Sequence, residues 1–84
     1  MKTYTIIKNH RGRTYETTGT VEELKKAFGY TIECGVSWMM QEPRYRFRDV
    51  PIPKSAKGLV NFLNKCVEYI QGGCFERDHY ELAE

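Results

Sequence analysis

The sequence has 84 residues, of which 40% are hydrophobic and 29% are charged, and its formal net charge is +2. This length predicts one domain with a single core, and no apolar run approaches the roughly 18 residues that a membrane span needs. The small net charge does not by itself indicate a nucleic-acid-binding protein, since such proteins usually carry a strongly basic surface. The N-terminus lacks the long apolar segment of a signal peptide, so we expect a cytoplasmic protein.

Residues 1–18 have the composition of a β-hairpin. Residues 3–8 and 13–18 are rich in β-branched and aromatic side chains, which favour strands, and residues 9–12 have the composition of a turn. Ile6 and Ile7 lie on opposite faces of the first strand because successive side chains of a strand alternate. Since both faces are then partly apolar, we predict that this strand is central in its sheet.

A capping-box pattern at Thr20 and Glu23 predicts the start of the first helix. Apolar residues then recur with helical spacing, so we predict one helix from Thr20 to about Cys34. Gly29 lies inside this pattern and weakens it, because glycine costs about 1 kcal/mol relative to alanine in a helix. A close approach of another backbone at Gly29 would explain the glycine.

Residues 36–54 are the least regular part of the sequence. They begin with Trp38, Met39 and Met40 and continue into a segment in which basic and aromatic side chains alternate. The alternating segment comprises Arg44, Tyr45, Arg46, Phe47 and Arg48. As a strand it would place its aromatic side chains on one face and its arginines on the other, so we interpret it as a short edge strand or an extended loop. The prolines that follow exclude a helix and a central strand there.

The strongest helical pattern runs from Ser55 to Gln71. Its apolar residues recur with the i, i+3, i+4, i+7 spacing of one helix face, Ser55 can cap its start, and two glycines follow its end. We expect this helix to be the centre of the core. In the two predicted helices the residues expected to be buried are Leu24, Phe28, Leu59, Leu63, Val67 and Ile70.

Residues 74–82 alternate moderately and predict a last strand, antiparallel to the first, with Phe75, Tyr80 and Leu82 buried. The order of elements is therefore ββα–loop(β)–αβ. We predict a single α+β domain over residues 1–84, with a small antiparallel sheet of three or four strands and two amphipathic helices, each covering one face of the sheet.

The charges of the two ends support the pairing of the first and last strands. Basic residues precede any acidic residue at the N-terminus, and acidic residues crowd the C-terminus. If these ends are neighbouring strands, their charges neutralise each other across the sheet. The residues concerned are Lys2, Lys8, Arg11, Arg13, Glu76, Asp78, Glu81 and Glu84.

Catalytic and metal-binding patterns are not recognisable in the sequence. His10 in the predicted turn and His79 in the predicted strand fit no known catalytic motif, and we interpret both as solvated surface residues. Cys74, His79 and His10 do not supply a convincing set of four zinc ligands. The cysteines, an odd number without a CxxC pair, are interpreted as buried free thiols; they are Cys34, Cys66 and Cys74. We therefore expect a non-enzymatic protein without a metal or another cofactor.

The alternating segment is the first candidate binding site. Nucleic-acid-binding surfaces combine cations for phosphates with aromatic rings for bases, and this segment contains both. The same pattern equally fits an amphipathic edge strand with its aromatics in the core and its arginines in solvent. Arg11 and Arg13 on the hairpin could extend a basic surface or could simply be solvated.

The cluster of Trp38, Met39 and Met40 is the second candidate. Tryptophan and methionine are enriched at protein interfaces, and tryptophan is prominent among binding hot spots. A lid over the core of a small domain is the alternative interpretation. If residues 36–54 are exposed, they combine the residue types that anchor a protein–protein interface.

Three stretches carry further short patterns: residues 18–24 read T-G-T-x-x-E-L, residues 30–38 read Y-T-I-E-x-G-x-S-W, and residues 53–60 read P-K-S-x-K-x-L-V. Together they resemble small uncharacterised proteins of phages and gut-bacterial mobile elements, in which the second pattern has leucine where Ile32 stands here. The segment from Arg44 to Arg48 departs from that resemblance, so any role of this segment is peculiar to this chain.

The resemblance implies a small protein carried by a phage or a mobile element. Such proteins often bind and block host machinery, anti-CRISPR-type inhibitors among them. We therefore predict a cytoplasmic inhibitor that binds a host protein, such as a CRISPR or other nucleic-acid-handling defence complex, through both candidate sites. The alternative is a small accessory protein that binds nucleic acid directly through Arg11, Arg13, Arg44, Arg46 and Arg48.

Overall fold

The computed structural model describes residues 2–45, 48–73 and 76–83. The described residues form three antiparallel strands, three α-helices and one 3₁₀ turn, so the predicted α+β class is confirmed. No helix within these ranges is long and apolar enough to cross a membrane. In chain order the elements are β1 (Tyr4–His10), β2 (Arg13–Gly19), α1 (Val21–Ala27), α2 (Gly29–Met39), the 3₁₀ turn (Pro43–Tyr45), α3 (Ala56–Gln71) and β3 (His79–Leu82).

The strands lie in the order β2-β1-β3 in the described part of the chain, which confirms β1 as the central strand. β1 and β2 are joined by a two-residue loop, Arg11 and Gly12, whose φ angles are 51° and 81°. Positive φ at both positions is typical of a type I′ turn, whose twist matches that of a hairpin. Both pairings of β1 are antiparallel, so the predicted pairing of the first and last strands is also confirmed.

The helix predicted from Thr20 to Cys34 is wrong, because two helices occupy this region. α1 begins at the predicted capping box, in which the Glu23 N–H donates to the Thr20 hydroxyl at 3.2 Å and the Thr20 N–H donates to the Glu23 carboxylate at 2.9 Å. The chain leaves helical geometry at Phe28, with φ −100° and ψ 18°, and α2 starts at Gly29. The weak position at Gly29 thus separates two helices.

α2 continues to Met39, through residues that the sequence pattern assigned to an irregular segment. Gly35 has the composition of a helix end, but it lies inside α2 where this helix meets α3. A Cβ atom on Gly35 would lie 2.4 Å from both Cβ and Sγ of Cys66, so only glycine permits this approach. A close approach does not explain Gly29, since a Cβ there would meet no described atom within 4 Å.

α3 forms the centre of the core, as predicted. Ser55 caps its start by accepting a hydrogen bond from the Gly58 N–H at 3.1 Å. The prediction for Ile70 is wrong, because its side chain is 37% exposed in the last turn of α3, where it lines an open cleft. The other helix residues predicted to be buried are buried, namely Leu24, Phe28, Leu59, Leu63 and Val67, whereas Leu82 of the last strand is partly buried.

β3 is shorter than the predicted strand over residues 74–82, and Phe75, expected to be buried, lies outside the described residues. Asn64 of α3 connects β3 to the helix layer through two hydrogen bonds. Its Nδ2 donates to the Tyr80 carbonyl at 2.9 Å, and its Oδ1 accepts from the Tyr80 N–H at 2.8 Å. Tyr80 is buried and its ring meets Phe28 edge to face at 5.4 Å, so this face of the sheet carries the core.

Candidate partner-binding surface

The C-terminal end of α2 displays one of the three side chains predicted there for partner binding. Trp38 is 50% exposed, Met40 is half-buried against the core, and Met39 is fully buried. Met39 lies four residues after Gly35 and seven after Ile32, so it shares the helix face that meets the core. The assignment of Met39 to a partner-binding surface is therefore wrong, while Trp38 remains at the surface.

Backbone hydrogen bonds between residues three positions apart follow the end of α2. The N–H groups of Glu42, Tyr45 and Arg48 donate to the carbonyl groups three residues earlier, at 2.9, 3.0 and 3.2 Å. Pro43 begins the 3₁₀ turn, because its ring fixes φ near the helical value. This series of bonds gives the segment a definite shape that its composition did not indicate.

The edge strand or extended loop predicted over residues 44–48 is wrong in its described part. Arg44 and Tyr45 belong to the 3₁₀ turn, where side chains do not alternate between two faces as they do in a strand. Tyr45 is half-buried and packs against the core, whereas Arg44 and Arg48 are exposed. Two predicted site residues lie outside the described residues, namely Arg46 and Phe47.

A polar cluster holds this turn against α3. This Glu42 cluster comprises Glu42, Arg44, Tyr45, Lys65 and Tyr69. The Tyr69 hydroxyl donates to Glu42 Oε1, and Arg44 Nε donates to Oε2 of the same carboxylate at 2.8 Å. The hydrogen bond from Tyr69 outweighs desolvation and, with the charge of Arg44, lowers the pKa of Glu42. Glu42 therefore stays ionised at neutral pH and keeps Arg44 in place.

The ring of Tyr45 lies beside two cations. The Lys65 ammonium is 5.6 Å from the ring centroid and donates to the Tyr45 hydroxyl at 3.3 Å. The guanidinium carbon of Arg44 is 4.9 Å from the same centroid. Because cations are attracted to the face of an aromatic ring, these contacts fix Tyr45 within its own chain. Trp38 is therefore the more available of the two aromatic anchors predicted from the sequence.

Arg44 and Arg48 supply positive charge after the end of α2, six and ten residues after Trp38 in the chain. Arg48 Nε donates to the Arg44 carbonyl at 3.0 Å, which orients the Arg48 side chain along the turn. The side chain of Arg44 is 56% exposed despite its ion pair with Glu42. A guanidinium has five N–H donors, so both arginines retain donors for a partner. We call Trp38, Arg44, Tyr45 and Arg48 the anchor surface.

Arg11 and Arg13 are exposed at the hairpin loop. Arg11 lines a cavity of about 430 Å³ together with Glu76 and Arg77, so a carboxylate and a second guanidinium share its surroundings. Among the contacts of the described residues, none joins either arginine to Arg44 or Arg48. These contacts therefore give no support to one continuous basic surface.

A second polar cluster, which the sequence did not predict, joins β1, α3 and the segment before β3. This Asp78 cluster comprises Lys8, His10, Gln71 and Asp78. His10 Nδ1 donates to Asp78 Oδ1 at 2.5 Å, Gln71 Nε2 donates to Oδ2 at 3.3 Å, and Lys8 Nζ lies 3.6 Å from Oδ2. In return the Asp78 N–H donates to Gln71 Oε1 at 2.9 Å, and the Asp78 side chain is only 10% exposed.

Opposing effects act on the pKa of Asp78. Burial raises it, but the hydrogen bond from His10, the charge of Lys8 and the hydrogen bond from Gln71 together lower it below its usual value. The interpretation of His10 as a solvated residue is wrong, since it is half-buried and bonded to Asp78. The spacing of Lys8 and His10 on one face of β1 was the one local signal of this cluster.

Two cysteines and His79 lie in the described part of the chain. Cys66 is buried, and burial raises the pKa of its thiol to about 11, so the thiol is protonated at neutral pH. Cys34 is a half-buried free thiol, His79 is exposed, and Cys74 lies outside the described residues. Within the described ranges no group of three or more His, Cys, Asp or Glu side chains is placed to hold a metal ion.

A cleft of about 250 Å³ lies beside the Asp78 cluster. Its walls include Tyr30 and Cys34 of α2, Ile70 of α3 and Lys8 of β1. Tyr30 is 82% exposed, at the other end of α2 from Trp38. α2 thus presents an exposed aromatic residue near each of its ends.

Comparisons with known proteins add no relative from which a function could be transferred. No family model matches the chain, and no curated protein or solved structure matches it significantly.

Proposed function

We propose that the chain is a non-enzymatic binding protein whose anchor surface docks on a protein partner. In the phage or mobile-element setting implied by its short sequence patterns, the partner is a host protein that is blocked by binding. The proposed class of partner is a nucleic-acid-handling defence complex, as for anti-CRISPR-type inhibitors. The inhibitor acts in the cytoplasm of the host cell.

The position of Trp38 is the observation that carries this proposal. Its large side chain is 50% exposed, although the next residue, Met39, is fully buried and fixes the end of α2. An exposed tryptophan on a rigid element needs little ordering when it binds, so more of its burial energy contributes to affinity. Tryptophan is also enriched among the residues that dominate binding energies.

The arginines of the anchor surface indicate the chemistry of the partner. Trp38 requires an apolar pocket, and Arg44 and Arg48 favour acidic residues at its rim. Exposed charges at a rim change the association rate and the specificity more than the affinity. We therefore assign affinity mainly to Trp38 and orientation to the two arginines.

Capture of the partner from host lysate, followed by binding measurements on the purified pair, tests the proposal. Trp38→Ala should weaken binding by about 2 kcal/mol or more, which is on the order of thirtyfold in Kd. Tyr30→Ala is the matched control, because it removes an exposed aromatic residue from the same helix. Equal affinity of the two variants would remove Trp38 from the interface and would contradict the proposal.

Direct nucleic-acid binding is the alternative function. It has less support than a protein partner, because Arg44, one of its proposed phosphate-binding residues, already pairs with the Glu42 carboxylate. A fluorescence titration with single- and double-stranded oligonucleotides at two salt concentrations distinguishes the two functions. Binding through phosphates must weaken steeply as salt rises, because it releases counterions. Such salt-dependent binding, lost in Arg44→Ala and retained in Tyr30→Ala, would favour this alternative over the protein partner.

A further inference from the structure

The two edges of the sheet differ within the described part of the chain. At the β3 edge, Asn64 binds the backbone N–H and C=O of Tyr80, and Gln71 binds the N–H of Asp78. At the other edge, β2 is exposed along most of its length. The helix layer therefore covers the backbone of one edge strand and leaves the other accessible.

The register shows which backbone groups of β2 point outward. Tyr80 directs its backbone groups to Asn64 and away from Lys8, its partner on β1. Successive residues of an antiparallel strand direct these groups to alternate sides, so Lys8 directs its own to Tyr15 on β2. The N–H and C=O groups of Thr14, Glu16 and Thr18 consequently point away from β1, in the plane of the sheet and towards its open edge. None of them has a backbone partner among the described residues.

β2 has few of the features with which proteins usually protect an edge strand, namely the charged side chains of Arg13 and Glu16. It pairs with β1 residue by residue from Arg13 to Gly19, without a bulge, and it contains no proline. Edge strands that do not associate are commonly interrupted by a bulge or a proline, or are covered by another element. A regular, accessible edge of this kind is a template for a further strand.

We propose that the β2 edge pairs with the β2 edge of a second copy of this chain, antiparallel and with Tyr15 on the two-fold axis. Each Tyr15 then faces its counterpart, Thr14 faces Glu16 of the second copy, and Arg13 faces Thr17. Tyr15 is 49% exposed, and an aromatic cross-strand pair would cover part of this surface. The small formal net charge of +2 adds little repulsion between two copies.

The chemistry of the side chains selects this register. A register centred on Glu16 would form more backbone hydrogen bonds, but it would place the two Glu16 carboxylates directly opposite each other. Like charges in opposite positions destabilise a strand pair, whereas aromatic pairs stabilise it. Centring on Tyr15 avoids the repulsion and pairs each Glu16 with a threonine hydroxyl.

Sedimentation of the purified full chain over a range of concentrations tests the proposal. The mass should rise with concentration from 9.9 kDa towards twice that value. Thr14→Glu should weaken the dimer on the order of tenfold, because it places a carboxylate opposite Glu16 of the second copy, and Thr14→Lys should strengthen it. Thr18→Glu is the matched control, since Thr18 faces the hairpin loop in this register and its substitution should leave the dimer unchanged.

Hydrogen exchange provides a second measurement on the unmodified protein. The amides of Thr14 and Glu16 should exchange more slowly as the concentration rises, while that of Tyr15, already bonded to β1, should not change. A monomer at every concentration, or equal weakening by Thr14→Glu and Thr18→Glu, would overturn the proposal. Both variants change exposed residues on one face of β2, so circular dichroism can confirm that each keeps the fold.

Discussion

The two flanks of α3 carry polar clusters that differ in burial and in what they connect. The carboxylate at the centre of the Asp78 cluster is 10% exposed, against 34% for that of Glu42, and its bond with His10 joins residues 68 positions apart in the chain. The Glu42 cluster is more exposed, and it joins α3 to the turn that directly follows α2. One cluster therefore connects distant parts of the fold, while the other shapes a local surface.

This difference indicates that one cluster mainly stabilises the fold and that the other mainly shapes the proposed binding surface. Removing one partner of a buried polar contact is costly, because the remaining groups lose their solvation without compensation. Exposed ion pairs contribute little to stability, since water and salt screen them. We infer that the Asp78 cluster stabilises the fold and that the Glu42 cluster mainly positions the anchor surface.

The largest loss of stability is expected from a substitution on the apolar face of α3, because both polar clusters are attached to this helix. Leu63 is fully buried, and Leu63→Ala should lower the free energy of unfolding by about 2–5 kcal/mol. Thermal and urea unfolding measure this loss. A variant with the melting curve of the wild type would show that α3 is not the centre of the core.

A smaller loss of stability, with opposite signs for two glycines, is expected where α2 approaches α3. Gly35→Ala should lower the free energy of unfolding by about 1–3 kcal/mol, because its Cβ would overlap Cys66. Gly29→Ala is the control, and it should raise stability by up to about 1 kcal/mol because its Cβ enters open space. If both alanines have the same effect on urea unfolding, the close approach at Gly35 is contradicted.

The pH dependence of stability compares the two clusters directly. The pKa of Asp78 is lowered in the folded state, so its ionised carboxylate stabilises the fold fully at neutral pH. This contribution to the free energy of unfolding is lost as the pH falls below about 4, towards the lowered pKa. As the pH falls, Asp78→Asn should therefore lose less unfolding free energy than the wild type does. Glu42→Gln is the control on the other flank and should flatten it less, since Glu42 is more exposed. An equal effect of the two substitutions would contradict the distinction between the flanks.

Local signals allowed much of the fold to be predicted. The turn composition before Arg13 predicted the hairpin, the pair Thr20 and Glu23 predicted a helix start, and the apolar spacing after Ser55 predicted α3. Each signal depends on residues that lie within a few positions of one another. Such patterns are set by backbone geometry and survive in the folded chain.

Features that depend on distant contacts could not be predicted in this way. Gly35 resembles a helix end until Cys66 is brought against it, and Met39 resembles a surface anchor until α2 continues through it. The residues next to His10 in the sequence do not indicate that Asp78, 68 positions later, will be its partner. For the candidate site, the sequence proposed Trp38 and the arginines as candidates, and it gave no sign of the bonds to α3 that hold the turn of Arg44.

Urea unfolding of Asp78→Ala and Glu42→Ala, measured side by side with the wild type at neutral pH, tests the central claim most directly. We expect Asp78→Ala to lose about 1–3 kcal/mol of unfolding free energy, because Gln71 and His10 would lose their hydrogen-bond partner in a partly buried site. Glu42→Ala should lose clearly less, because the Glu42 side chain is more exposed than that of Asp78 and water screens its ion pair. Equal losses, or a larger loss for Glu42→Ala, would contradict the division of roles between the two flanks of α3.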